Sequence, residues 1–376
     1  MPTIKSDRLK RNSAPGKRSE VEERWVSFQP YLLAKGYRLR PRYQPDWTPS
    51  WANSDIKPRL CEDSLDCLPI RVLDATRIED ERQVKIKMVV QTTKNEGIHE
   101  YALLKHFSVP PLKDNPSNHV VPLLDHFPIP GIESGYFVVM PLLSHYTEPA
   151  FHNMAEIHDF FEQVFEGLLL MHNHNVAHCD IAPANVMMDA RPLYEEPFHP
   201  YYQTYSIDAK RRIYPRYRRS QKLIRYYFID LGYAKWFPDE KSSRKATDIH
   251  AREAAPEQVG DGPYDPFAVD IYQLGIMIQN DFIDKFSQLN FLSSLINEMT
   301  QHDPNKRPDI GTARSTMNTA FLGLSGSRYR WPLIVKHHGP LGHIRLLFAG
   351  LLEEVKYLIM KILNIIPGVN QLKGSY

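Results

Sequence analysis

The 376-residue sequence predicts an α+β fold, arranged as about two domains or as one large two-lobed one. Three observations carry this. Runs rich in β-branched residues stand at 70–77 and 83–90, and further apolar runs follow at 119–127 and 135–143. A helix-period apolar pattern then takes over at 156–174. Hydrophobic residues make up 42% of the chain, enough to bury a sizeable core, which excludes global disorder.

Taken in order, the first twenty residues are polar and basic, with Lys5, Arg8, Lys10, Arg11, Lys17 and Arg18. They contain no apolar stretch, so they are not a signal peptide. They read as a solvated tail, with a nuclear address or an anionic-lipid contact as the alternative. The segment PRYQPDWTPSW (41–51) has too many prolines for a helix or a central strand. It is expected to wrap over a folded surface, anchored by Trp47 and Trp51. The runs IRVLDATR (70–77) and QVKIKMVV (83–90) read as a hairpin whose turn lacks the favoured Gly. GIHEYALLKHF (97–107) reads as a short helix with Glu100, Leu104 and Phe107 on one face. HVVPLLDHF (119–127) and GYFVVMPLL (135–143) read as two buried strands. In 156–174, Ile157, Phe160, Phe161, Val164, Phe165, Leu168 and Met171 point inward. Near the C-terminus, 343–366 is an amphipathic helix stopped by Pro367 and Gly368. Arg345, Glu353, Glu354, Lys356 and Lys361 interrupt it, so it is not a membrane span. Its apolar face is expected to dock on the chain's own body or on a partner. Peripheral membrane contact is not favoured, because the polar face mixes both charge signs.

The 46 Lys+Arg against 44 Asp+Glu give a net charge of +2, and nucleic acid is not an expected partner. Three cysteines support neither a disulfide framework nor a cysteine zinc site and fit a reducing compartment. The expected location is intracellular, cytoplasmic or nuclear.

The chemistry concentrates in a series of short motifs. VAHCDIAPANVMMD (176–189) sets Asp180 five residues before Asn185, between apolar strand-like residues. In phosphoryl transfer such an Asp accepts a hydroxyl proton and such an Asn holds Mg2+. YYFIDLGYAKWF (226–237) ends an apolar strand at Asp230, before a Gly turn, where a carboxylate can face a metal. EAAPEQ (253–258), DIYQLG (270–275) and DPNKRP (303–308) follow.

In this order the motifs resemble the eukaryotic protein kinase domain, and most closely its divergent fungal kinase-like members. The resemblance spans about 68–315 and implies a two-lobed kinase-like fold. A small β-rich N-lobe (68–143) would precede a larger helical C-lobe (144–315) carrying an insert at 190–225. Outside it would lie a basic, Pro/Trp-rich arm (1–67) and a C-terminal extension (316–376). The implied activity is ATP-dependent phosphorylation of a protein hydroxyl, with an unknown protein as substrate and ATP and Mg2+ as cofactors. Pro183 matches the serine/threonine type of loop, whereas Ala182 leans the other way. A pseudokinase that binds ATP or acts as a scaffold is the alternative. By the resemblance Asp180 is the catalytic base, and Asn185 and Asp230 hold Mg2+. Lys87 would touch the ATP phosphates and pair with Glu100, with Lys85 and Glu96 as rivals. Met140, Leu142 and Leu143 would flank the adenine. His178, Asp270 and a Glu257–Arg307 ion pair would be structural.

The sequence also departs from the family pattern. No Gly occurs between Gly36 and Gly97, where the family keeps the Gly-rich loop over the phosphates. The stretch CEDSLDCLPIRVLDA (61–75) is expected in its place. Cys179 stands where the family has the Arg that receives an activation-loop phosphate. Ala182 stands where serine/threonine kinases carry a Lys. The insert interleaves Arg and Lys with Tyr and is expected to be a solvated excursion. The stretch between Asp270 and Arg307 is too short for a substrate-docking helix between its two flanking helices.

Overall fold

The computed structural model describes residues 15–65, 70–91, 97–238, 244–247, 251–259, 262–336 and part of 347–363. The chain divides into two compact units. One comprises Met1–Val90, Leu123–Leu142 and Tyr194–Tyr214, and the other Gln91–Pro122, Leu143–Leu193 and Pro215–Tyr376.

The first unit is built on five strands: β1 (Tyr37–Arg38), β2 (Val72–Arg77), β3 (Arg82–Val89), β4 (Asp125–Pro128) and β5 (Tyr136–Pro141). They form one antiparallel sheet in the order β1-β2-β3-β5-β4. The β2–β3 turn manages without Gly because Glu81 takes a left-handed φ of 55°. Only the end of the expected 119–127 strand pairs with the sheet. Pro122 has no N–H to give a ladder, and the N–H of Val121 goes instead to the Phe228 carbonyl at 2.9 Å within the second unit.

The segment 20–38, expected as part of an arm, supplies a helix and the edge strand β1. Helix α1 (Glu20–Ala34) opens on a Ser19–Glu22 capping box. It buries Trp25 and Leu32 against the sheet residues Phe127, Phe137, Ile86 and Val84. Glu22 turns inward to a fully buried Arg42, which also donates to the Pro15, Lys17 and Asp63 carbonyls. Trp47 donates its indole N–H to Asp63 at 2.9 Å and meets Trp51 edge-on. Thus 39–71 joins β1 to β2, and of the stretch 61–75 the residues from Val72 on belong to β2 while 66–69 lie outside the described residues.

The insert is solvated at half of its residues, but it is anchored. Phe198, His199 and Ile213 are buried, and His199 Nε2 lies 3.1 Å from Glu62 Oε1. Arg211 pairs with Glu196. Further on, in the second unit, Arg219 is buried and donates to the Tyr226 hydroxyl at 2.9 Å and to main-chain carbonyls. Of the basic run only Arg219 is buried, while Lys210, Arg211, Arg212, Arg216 and Arg218 are exposed.

The second unit is mostly helical. Its helices are α2 (Glu100–Phe107), α3 (Met154–Asn173), α4 (Pro266–Ile278), α5 (Ser293–Met299), α6 (Ile310–Leu322) and α7 (Gly326–Arg330). Two small sheets accompany them, β6 (Ser144–His145) with β8 (Val186–Met188) and β9 (Tyr226–Phe228), and β7 (Val176–Ala177) with β10 (Lys235–Trp236). Helix α2 starts later than 97, because Gly97 has a φ of 79° and its N–H reaches the Gly232 carbonyl at 2.8 Å. Asn153 caps α3, whose seven expected apolar residues are all buried. Gly167 is required there, since a Cβ would lie 2.5 Å from the His119 Cβ. Between α4 and α5 the chain runs through a π-helical turn (Gln279–Ile283) and a 3-10 turn (Ser287–Leu292), with no further α-helix.

The described apolar residues of the C-terminal segment do not dock on the chain's own body. Leu347, Phe348, Leu351, Leu352, Val355, Leu358, Ile359, Ile362 and Leu363 are 45–79% exposed. The segment touches the body by its other side. Gly350 lies under the Trp331 ring, and Glu354 takes two 3.0 Å hydrogen bonds from Arg330. Residues 1–14 and 364–376, which include most of the basic tail and the helix stop, lie outside the described residues. Among the described residues no helix is long and apolar enough to cross a membrane.

Candidate active site

The loop after β7 is held by three buried side chains. Asp270, on α4, accepts the His178 N–H at 2.8 Å through Oδ2 and the Cys179 N–H at 2.7 Å through Oδ1. His172 Nε2 lies 2.9 Å from the same Oδ2. Gln273, one helical turn on, accepts the Ile181 N–H at 2.9 Å and donates to the carbonyls of Cys179 and Glu253. The His178 Nδ1 accepts the Asp180 N–H at 3.3 Å, so its other ring nitrogen donates to the Ile229 carbonyl at 3.0 Å. Under these restraints Cys179 sits at a left-handed φ of 64°. Burial raises its thiol far above the usual range, so it is not a reactive thiolate.

Asp180 is the focus of the loop. Its side chain is 2% exposed. Oδ1 accepts the Arg252 main-chain N–H at 2.8 Å, and Oδ2 accepts Asn185 Nδ2 at 2.7 Å. The same Nδ2 also donates to the Asp180 carbonyl at 2.8 Å. The Arg252 guanidinium stands close, with Nε 3.7 Å from Oδ2. Burial raises the Asp180 pKa, and the Arg252 N–H, His178, Arg252 and Asn185 offset only part of that rise. A carboxylate of raised basicity, oriented by two donors, suits proton acceptance.

Asn185 uses its amide nitrogen for both bonds, so its Oδ1 has no hydrogen bond among the described residues. It closes a 3-10 turn (Pro183–Asn185) before β8, and its main-chain carbonyl accepts the Ile229 N–H at 2.9 Å. That bond brings the end of β9 beside Asn185. Asp230 follows at φ 62°, ψ 65°, which turns the chain sharply after the strand. A neutral amide oxygen and a carboxylate are hard oxygen donors of the kind Mg2+ takes, so the donor set fits that ion. Glu100, the first residue of α2, is buried. So is Leu143.

The remaining candidates belong to the first unit. Lys87 lies on β3 and is buried. Lys85, on the same face, stands opposite Asp74 in the sheet, with Nζ 3.8 Å from its carboxylate. Its rival partner Glu96 lies outside the described residues. Met140 is the last residue but one of β5, before Pro141, and Leu142 follows the strand into a buried position.

The architectural pair is also formed. Arg307 and Glu257 make a bidentate contact at 2.6 and 2.7 Å, with the guanidinium over the Tyr272 ring. Sequence reasoning missed Gln273, His172 and Arg252. Gln273 was accessible, since it stands three residues after Asp270 on one helix face. Arg252 was not, because nothing in HAREAAPE signals a carboxylate from another loop.

A family model described as "Protein kinase domain" matches residues 71–287, more than half of the chain. No curated protein matches. Among solved structures, one described as the Rad53 kinase domain and SCD2 in complex with AMPPNP is similar at 15% identity and a TM-score of 0.39. The similarity covers 68% of this chain and 87% of that one. With the ordered motifs, the restrained loop around Asp180 and the matched family model in agreement, the chain belongs to the protein kinase domain family.

Proposed function

We propose that the protein is an ATP-dependent protein phosphotransferase of the serine/threonine type. The observation that carries this is the buried Asp180 carboxylate, aimed by Asn185 and the Arg252 N–H and made more basic by burial. Asp180 would orient the substrate hydroxyl and take its proton. Asn185 Oδ1 and Asp230 would hold Mg2+, which when bound neutralises charge on the phosphate oxygens. Lys87 would contact the ATP phosphates and pair with Glu100, and Met140, Leu142 and Leu143 would line the adenine's surroundings. Pro183 supports the serine/threonine assignment.

A second reading, a pseudokinase with little turnover, is favoured by one specific observation. The β1–β2 connection runs over 39–71 without a glycine, so no Gly-rich backbone is there to approach phosphates. One pair of experiments separates the readings. Purified protein with Mg2+ and γ-labelled ATP should label a generic Ser/Thr substrate, and Asp180→Asn should lower this by about 10²-fold or more. If wild type and Asp180→Asn label equally, the catalytic reading fails. Melting in Mg-ATP should rise for the wild type and not for Asp230→Ala; a rise without labelling selects the pseudokinase.

A further inference from the structure

We propose that Arg252 supplies the cation that the loop after β7 lacks, neutralising the phosphoryl group during transfer from a different part of the chain. This rests on the phosphotransferase reading above. Ala182 carries no charge where serine/threonine kinases place a Lys, so the loop itself offers the transferring group no cation. Among the described residues Arg252 is the one Lys or Arg within 4.0 Å of the Asp180 carboxylate.

The mounting of Arg252 is rigid where it must be. Its N–H is fixed to Asp180 Oδ1 at 2.8 Å, and the next carbonyl, that of Glu253, accepts Gln273 Nε2 at 3.1 Å. Gln273 is fully buried and grips the Ile181 N–H as well, so one side chain ties both segments together. The guanidinium root therefore keeps a constant place beside the proton acceptor.

Arg252 is not consumed by that carboxylate. Its Nε stands 3.7 Å from Oδ2, too far for a hydrogen bond, and half the side chain is exposed. The planar fork keeps its donors for a phosphate, to which it is well matched. In the reaction, the bond from the γ-phosphorus to the bridging oxygen breaks, and ADP leaves with its electron pair. The substrate oxygen forms the new bond to phosphorus, and its proton passes to Asp180. Arg252 bears on the charge of the phosphoryl group between those two oxygens.

The test compares Arg252→Gln, Arg252→Lys, and Arg252→Gln combined with Ala182→Lys, using Mg-ATP and a generic Ser/Thr substrate. Arg252→Gln should lower kcat by about 10²-fold while the KM for ATP changes by less than about 3-fold. Arg252→Lys should keep most of the rate. Placing Lys at 182 in the Gln background should recover at least about 10-fold, which a merely structural Arg252 would not allow. An unchanged kcat in Arg252→Gln overturns the proposal and leaves the kinase reading standing. A raised kcat overturns it too and makes the Arg252–Asp180 contact a brake. A wild type that binds Mg-ATP without transferring phosphate overturns both.

Discussion

Replacing Asp270 by Ala removes an acceptor that the loop after β7 cannot find elsewhere. The carboxylate is fully buried and takes the main-chain N–H groups of His178 and Cys179 at 2.8 and 2.7 Å. A hydrogen bond to a charged acceptor contributes roughly 1.5–3 kcal/mol, so two leave about 3–6 kcal/mol at stake. At about 2 °C per kcal/mol for a unit of this size, melting should fall by roughly 6–12 °C. The functional consequence follows from Cys179. A non-Gly backbone held at φ 64° costs on the order of 1–3 kcal/mol, and the Asp270 bond to the Cys179 N–H helps to hold it. Once released, Cys179 relaxes and carries Asp180, its neighbour, out of line with Asn185. Phosphoryl transfer should therefore drop further than stability alone explains when assayed well below the melting temperature. Asp270→Asn keeps one carbonyl oxygen and turns an NH2 toward an N–H, so it should lose about half the stability. Thermal and urea melts with parallel rate measurements decide the matter. A shift under about 2 °C in Asp270→Ala would refute the claim that this side chain clamps the loop.

Two other outcomes are expected. Arg40→Leu removes the Nε donor that buried Asp74 accepts at 2.8 Å and leaves it only Lys85 at 3.8 Å, which should cost up to about 3–5 kcal/mol. Burial raises the Asp74 pKa, but Arg40 and Lys85 more than offset it and leave it depressed. Its contribution to stability is thus present above the unfolded carboxylate's pKa and lost as pH falls through the lower folded value. In Arg40→Leu that acid-dependent contribution should shrink, so the gap in urea midpoint between variant and wild type should narrow as pH falls, and a gap that stays constant down to acid pH would contradict this. For the phosphotransfer rate, burial raises Asp180, so the acid limb of kcat/KM should lie above the usual carboxylate range, with activity falling as pH drops through it. A limb at or below that range would remove Asp180 from the role of base.

What the sequence could express depended on how local the cause was. Helix α3 was legible because its seven inward residues follow one period. The Asp180–Asn185 pair was legible because a single turn sets its spacing. The strand at 119–127 was only partly right, because His119, Val120 and Val121 are buried but Pro122 and the Val121 bond to Phe228 keep them out of the sheet, where β4 begins only at Asp125. The partners of the edge strand β1 are set by Tyr37–Arg77 and Arg38–Thr76 pairings across a long connection, and no periodicity records those. In the C-terminal helix the pattern did not say which side meets the chain's own body. Its amphipathic pattern is real, but Gly350 and Glu354, on the polar side, make the contacts with Trp331 and Arg330.

The two departures from the family pattern bear on different parts of the reaction. A phosphate-covering loop grips the nucleotide in ground state and transition state alike, so replacing it with the 39–71 connection should mainly weaken nucleotide binding. A cation at the transferring group acts most when charge moves between the two oxygens, so its absence should mainly lower kcat. Only the second deficiency has a replacement in view, since Arg252 stands beside Asp180 while nothing in 39–71 offers a Gly-rich backbone. A chain so built should turn over when saturated and should need high ATP to be saturated. Its KM for ATP, rather than its kcat, should then carry the cost of the lost loop. A low kcat with tight ATP binding would reverse that assignment and return the weight to the pseudokinase reading.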